Sequence, residues 1–407
     1  MNDNLLIIGG GLQGCITANL ADQNKTYKKI SIIESGNSLI NAFKEVSIKN
    51  IQINNGFHGI DYPRCENLIN WMTETLNIKF KKEINEKYLL VDGNIINYNS
   101  RAINWPENLK KYFRNFNNEY YSIDEIIRKT DKYYLNYMKE ISNRYSNDFD
   151  SSKGLFIPWF YPSDIKLKTD DEGTIFRNEL RDKKNLSVYY FPENYLFSSF
   201  KRYFYDKIQN SKISCSLDTT VDFTEKGVNI NNTYINKNTT VNICVSPAEI
   251  LKKIRVDLFK ELTANGVLLV NSIIKLKKKL DINFVEILVC DKQCPNVSRI
   301  SKILNVNDCN LLQIESIISS ADELQGVEHD IENIFNKVFS VNIDHIGSKI
   351  TRKMFFPSNS IVTECGIAIQ NWIKGISQYK ISVNEEFGPI NMAKVWMNAY
   401  ENSKQQK

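Results

Sequence analysis

The stretch from Asn4 to Gly36, NLLIIGGGLQGCITANLADQNKTYKKISIIESG, constrains this chain more than any other. An apolar run, Leu5 to Ile8, enters a turn with glycines at 9, 10, 11 and 14, an apolar-periodic segment follows, and a second apolar run, Ile30 to Ile33, ends in Glu34. That order, strand, glycine turn, helix, strand, acid, predicts an α/β unit.

Each part has a physical job if a dinucleotide is the ligand. Gly9 permits a tight turn, Gly11 lets the backbone approach a pyrophosphate, and Gly14 lets the helix pack close to the sheet, helped by the small Ala18. The helix that starts there points free N–H groups and the positive end of its dipole at phosphates. Glu34, 20 residues beyond Gly14, is placed to accept hydrogen bonds from ribose hydroxyls and to repel the 2′-phosphate of NADP. Both FAD and NAD fit the pattern.

At 407 residues the chain is too long for one ordinary core, so two domains or a discontinuous pair are expected. With 42% hydrophobic and 24% charged residues it has the balance of a soluble globular protein. The net charge of +5 is dispersed, and the local cluster KLKKKL at 275–280 is too small to indicate a nucleic-acid partner. The eight cysteines show no CxxC pair, and the three histidines, 58, 329 and 345, stand beside none; buried free thiols of a reduced compartment are expected, and no metal site. No apolar run approaches a membrane span and no signal-peptide pattern opens the chain, which makes the cytoplasm the expected compartment.

Four further stretches resemble FAD-dependent proteins of the superfamily that includes amine oxidases, protoporphyrinogen oxidases, phytoene desaturases and UDP-galactopyranose mutases. Gly56, Phe57 and His58 match that superfamily's Gly-x-His element, although Ile40, Asn41 and Ala42 stand where a glycine pair is usual. Tyr190-Phe191-Pro192, a helical run from Phe197 to Ile208 and a strand from Ile213 to Val221 match a second element, with Asn194 and Tyr195 in place of the usual glycines. TVNICVSPAEIL at 240–251 resembles the strand that returns to the first sheet. Near the end, Phe387-Gly388-Pro389 and a helical run from about Asn391 match the closing segment, without its usual Gly-Asp pair.

The resemblance implies a Rossmann-like FAD-binding domain of the glutathione-reductase type, discontinuous over 1–65, 187–252 and 345–407, with an α+β substrate domain inserted as 66–186 and 253–344. It implies FAD contacts from Gly9, Gly11, Gly14, Glu34, Gly56, Val221 (by its backbone, at the adenine), Gly388, Asn391 and Met392. His58 is read as a group that polarises the flavin or donates to a substrate, or else as a hydrogen-bonded structural histidine. Arg299 offers a permanently charged fork for a phosphate or carboxylate, or forms a surface ion pair. The implied function is an FAD-dependent oxidoreductase in which flavin N5 accepts hydride from a small organic molecule. A non-redox mutase acting on a sugar nucleotide and a catalytically degenerate nucleotide-binding protein are the alternatives.

Overall fold

A computed structural model describes residues 4–41, 44–56, 59–60, 65–98, 100–117, 119–143, 161–168, 187–236, 239–264, 266–355, 359–383 and 399–401. In chain order the strands are β1 (Leu5–Ile8), β2 (Ile30–Ile33), β3 (Glu45–Ile48), β4 (Ile51–Asn54), β5 (Phe80–Val91), β6 (Asn94–Asn97), β7 (Tyr120–Tyr121), β8 (Lys166–Leu167), β9 (Ser187–Pro192) and β10 (Ile213–Ser216). They continue as β11 (Val221–Thr224), β12 (Gly227–Ile230), β13 (Thr233–Tyr234), β14 (Thr240–Ile243), β15 (Gly266–Leu276), β16 (Phe284–Val289), β17 (Val297–Lys302), β18 (Leu311–Ile318), β19 (Ile343–Phe355) and β20 (Lys380–Val383).

The apolar tetrapeptides at the start of the chain become the centre of a five-stranded sheet ordered β10-β2-β1-β14-β20, in which every pairing is parallel. All four residues of β1 are buried because both faces of the sheet are covered. Ile7, Ile30 and Ile32 pack under α1 (Leu12–Gln23), α2 (Glu66–Leu76) and the helix Phe200–Gln209. Leu6, Ile8, Val241 and Ile243 pack on the other side against the helices Pro247–Ile254, Val256–Thr263 and Asn359–Gly375. Ser246 caps the first of these through its side chain, with Pro247 just inside it, as expected of a Ser-Pro turn.

The second sheet is mixed and has eight strands, in the order β19-β15-β18-β17-β16-β5-β6, with β9 added to the first half of β5. Asp92-Gly93, a turn-forming dipeptide between two apolar runs, is the β5–β6 turn, and both residues take positive φ, 48° and 71°. One face of this sheet is sealed by the helix Leu324–Asn333 and its wider-wound last turn, Ile334–Val338. The opposite face carries two covers. At one end Ile273 meets the β3–β4 hairpin through Val46, Ile48 and Ile53. At the other, Leu89, Val91 and Leu288 lie under an aromatic cluster that includes Trp105, Phe113, Tyr134 and Tyr161. Between these covers the face is polar.

The strand expected from Ile213 to Val221 is broken into β10 and β11. Asp218 takes φ 50°, and Asp218 N–H and Thr219 N–H donate to the carbonyls of Gly36 and Glu34, so the chain turns over the end of β2. Asp tolerates this left-handed conformation better than most residues. β11 then joins a separate antiparallel meander with β12 and β13. Among the described residues, no helix is long and apolar enough to cross a membrane, and all eight cysteines are free.

Candidate cofactor and substrate site

Because the five strands run parallel, the residues after β1, β2, β10 and β14 gather at one carboxyl edge. β1 leads on one side to β2 and on the other lies beside β14, so the turn after β1 sits where the strand order reverses, the usual place for a ligand in such sheets. Gly9 has φ +105°, and a Cβ there would come within 2.8 Å of the Cys244 carbonyl at the end of β14. Gly14 is tighter: a Cβ would lie 2.0 Å from the Gly9 carbonyl oxygen. These two glycines are demanded by the turn itself. Gly11 is different, for a Cβ there would meet nothing within 4 Å. It is the residue before α1 and brings no side-chain cap to that helix.

Glu34 stands beside this opening. Its Oε2 accepts from Gly10 N–H at 2.6 Å and its Oε1 from Gly36 N–H at 2.7 Å. Oε1 also accepts from the Ser35 hydroxyl at 3.4 Å, and Oε2 keeps a lone pair for another donor. The backbone of Glu34 is pinned as well, its N–H to Ser216 and its carbonyl to Thr219, which brings the start of β11 and Val221 to the same edge. The glycine turn, Glu34 and the Val221 segment are thus neighbours in space.

Gly56, with φ +97°, follows the β3–β4 hairpin and lines a small cleft with Asn54, Phe191, Tyr195, Lys302 and Gln313. Tyr195 adopts φ +61°, so the backbone at this usual glycine position keeps the left-handed conformation despite the side chain. That side chain is used: its hydroxyl donates to Glu83 at 2.5 Å and Lys81 lies over its ring. Burial and the Glu83 carboxylate push the Tyr195 phenol up to about 12. Amides tie the hairpin to the second sheet, with Gln313 donating to the Asn54 carbonyl and to Asn271, and Asn271 donating to Asn55 and Thr351. His58, Gly388, Asn391 and Met392 lie outside the described residues.

Below that hairpin, the polar part of the second sheet is a row of alternating charges. Lys87 on β5 lies 2.8 Å from Glu286 on β16, whose other oxygen is 3.2 Å from Arg299 on β17, and Arg299 reaches Glu315 on β18 at 3.3 Å. Tyr189 on β9 donates to Glu286 at 2.6 Å and packs against Gly59, where a Cβ would be 2.7 Å from its ring. Burial alone would raise the Glu286 pKa, but Lys87, Arg299 and the Tyr189 hydroxyl outweigh it and hold the carboxyl near 2. Glu286 is therefore a fixed negative charge and not a proton donor at neutral pH. Arg299 is only 25% exposed, set in the sheet between two carboxylates.

Sequence reasoning singled out Arg299 but missed Lys87, Glu286, Glu315 and Tyr189. A signal was present: FVEILV and LLQIESII are strand-like apolar runs, each with a glutamate inside it. A carboxylate in such a run must find a cation or leave the core.

No family model matches the chain, and no curated protein sequence matches it. Solved structures do. A protein assigned as a protoporphyrinogen oxidase from Exiguobacterium sp. 255-15 superposes with a TM-score of 0.61 at 11% identity, over 100% of this chain and 98% of that one. Reduced UDP-galactopyranose mutase gives 0.60 at 12% identity, over 99% and 95%. A putrescine oxidase variant redesigned in cofactor binding gives 0.54 at 10% identity, over 100% and 99%. The chain has the mixed α/β fold of these enzymes along their full length, as the sequence resemblance led one to expect.

Proposed function

We propose that this chain is an FAD-dependent oxidoreductase acting on a small organic molecule. Its flavin domain would be assembled from residues 1–65, 187–252 and 345–407 and its substrate domain from 66–186 and 253–344, with β9 and β19 hydrogen-bonded into the second sheet. The carrying observation is the carboxyl edge of the parallel sheet, where the open face of Gly11 and the doubly held Glu34 lie side by side. A Cβ at Gly11 would fill the space that a pyrophosphate needs, and Glu34 has acceptor capacity left for ribose hydroxyls.

When bound, FAD supplies a hydride acceptor. The protein's own part is to hold and surround it. Gly9, Gly11, Gly14 and the start of α1 would take the pyrophosphate, Glu34 the ribose, and the Val221 backbone the adenine. Gly56 and the pieces assigned to His58, Gly388, Asn391 and Met392 would serve the flavin end. The ion pairs of Arg299 with Glu286 and Glu315 match its charge, which speaks against its use as a clamp for a sugar-nucleotide diphosphate. The redox reading is preferred on that ground.

The test is the cofactor carried by the purified protein. Absorption near ~380 and ~450 nm, where an oxidised isoalloxazine absorbs, and release of FAD on denaturation are expected. Anaerobic addition of amines, sterol-like compounds or isoprenoids should then bleach the long-wavelength band with one of them. A colourless protein that takes up no added FAD ends the proposal.

A further inference from the structure

A cleft of about 490 Å³ opens in the aromatic cover of the second sheet, lined by Asp92, Asn108, Lys111, Tyr112, Asp131 and Tyr133. Its volume falls within the ~300–1,000 Å³ usual for small-molecule sites. It is remote from the cleft at Gly56. Asp92 follows the last residue of β5, and the stretch from Glu83, which meets Tyr195, to Asp92 covers about 30 Å of extended chain.

The walls of this cleft are held in place. Asp92 donates its N–H to the Tyr137 hydroxyl, its carbonyl accepts from Asn94, and Gly93 N–H donates to Asp291. Asp131 caps the helix Lys132–Ser142, its Oδ1 accepting from Tyr133 N–H at 2.8 Å. Tyr112 stacks on Tyr134 with ring centroids 5.0 Å apart. It is only 8% exposed and lines the cleft, yet its hydroxyl has no hydrogen-bond partner among the described residues. A buried phenol usually finds a partner within the protein, so this polar end is offered to the cleft.

The charges in the cleft are also unspent. Neighbouring Lys110 and Lys292 pair with Glu107 and Glu140, whereas Asp92, Asp131 and Lys111 make no ion pair among the described residues. The aromatic faces, by contrast, are already used: Lys111 lies over the Tyr112 ring at 4.9 Å and Lys292 over the Tyr133 ring at 5.6 Å. An organic cation would meet like charge where it needs bare rings, and an anion would meet two carboxylates. A hydroxyl group suits all the lining at once, because it donates to a carboxylate while it accepts from an ammonium, an amide or a phenol. Its bonds to Asp and Lys are charge-assisted.

We propose that this cleft is a second ligand site, separate from the cofactor edge, and that it binds a neutral saccharide through Asp92, Asp131, Lys111 and the Tyr112 hydroxyl. The two carboxylates accept from the sugar hydroxyls, and Lys111 and Tyr112 donate to them. The site does not depend on the flavoenzyme reading.

The test is calorimetric titration of the full-length protein, at constant ionic strength, with maltose, cellobiose, lactose and chitobiose, and with putrescine and inorganic pyrophosphate as the charged alternatives. At least one disaccharide is expected to bind with a Kd of about 1 mM or below. Asp131→Asn keeps the helix cap and Asp92→Asn keeps a residue that tolerates positive φ, so both should melt as the wild type does. Each should weaken saccharide binding by about tenfold or more, the usual loss for a charge-assisted hydrogen bond. Tyr112→Phe, which preserves the ring stack, should weaken it by about threefold or more. The inference is overturned if no disaccharide binds below about 10 mM, if putrescine or pyrophosphate binds more tightly than every sugar, or if both aspartate variants keep the wild-type affinity. Flavin content is read from the same samples, so failure to carry FAD counts against the flavoenzyme proposal alone.

Discussion

Two regions of this molecule hold carboxylates by opposite means. At the carboxyl edge of the parallel sheet, Glu34 is gripped by backbone N–H groups of Gly10 and Gly36. On the second sheet, Glu286 is gripped by the side chains of Lys87, Arg299 and Tyr189. The first arrangement comes from one short stretch of chain and depends on residues that lack side chains. The second is collected from strands far apart in sequence and depends on charges that cancel only while all are present. The first is therefore vulnerable to added atoms, the second to lost charge.

The largest effect should come from the charge row. Glu286→Leu leaves Lys87 and Arg299 close together without their shared carboxylate. A loss of about 3–5 kcal/mol in urea unfolding is expected, since one partner of a buried pair is removed. A loss below about 1 kcal/mol would show that solvent compensates these cations and that the row is not a buried unit.

Acid should attack the same group. The Glu286 carboxyl is depressed in the folded chain, to about 2 from an ordinary 4.5, so the unfolded state takes up the proton first. Its stabilisation is fully present above about pH 4.5 and is lost as pH falls toward 2, about 3 kcal/mol in all. Comparing wild type with Glu286→Gln over that range isolates the contribution. The wild type should lose its advantage on acidification, and parallel pH profiles would sink the assignment.

The contrast also explains what the sequence disclosed. The glycine turn and Glu34 were legible because their spacing is local and Gly9 and Gly14 each have a steric reason. The β5–β6 turn at Asp92-Gly93 and the Ser246-Pro247 helix start were legible for the same reason. The charge row was not, because Lys87, Glu286, Arg299 and Glu315 become neighbours only through strand register, and register is set by pairings that no single segment encodes. Arg299 could be picked out as a charged fork, yet its partners lie on β16 and β18. The break at Asp218 was hidden likewise, since it depends on the carbonyls of Gly36 and Glu34.

At the carboxyl edge of the parallel sheet, Gly14→Ala tests vulnerability to added atoms. Its Cβ would overlap the Gly9 carbonyl, a backbone atom that cannot swing aside. Helix α1 must shift from β1, at a cost of about 1–3 kcal/mol for overpacking, and FAD retention should fall with it. Full stability and full FAD content in this variant would mean that the close approach of α1 to the turn is not needed.

The smallest effect on stability, and the sharpest for the cofactor, is expected from Gly11→Ala. Gly11 has φ −64° and ψ 178°, which alanine adopts freely, and its Cβ would touch nothing. The slightly poorer helix start is offset by a less flexible unfolded chain, so stability should change by no more than about 0.5 kcal/mol. FAD affinity should nevertheless fall by about tenfold or more, because the methyl enters the space through which the backbone would meet the pyrophosphate. Melting curves of the FAD-free protein and FAD titration followed by fluorescence quenching measure the two quantities separately. Gly14 and Gly11 would then be distinguished as a glycine the fold requires and one the ligand requires. If Gly11→Ala binds FAD as tightly as the wild type, the open face of Gly11 is not where the pyrophosphate lies.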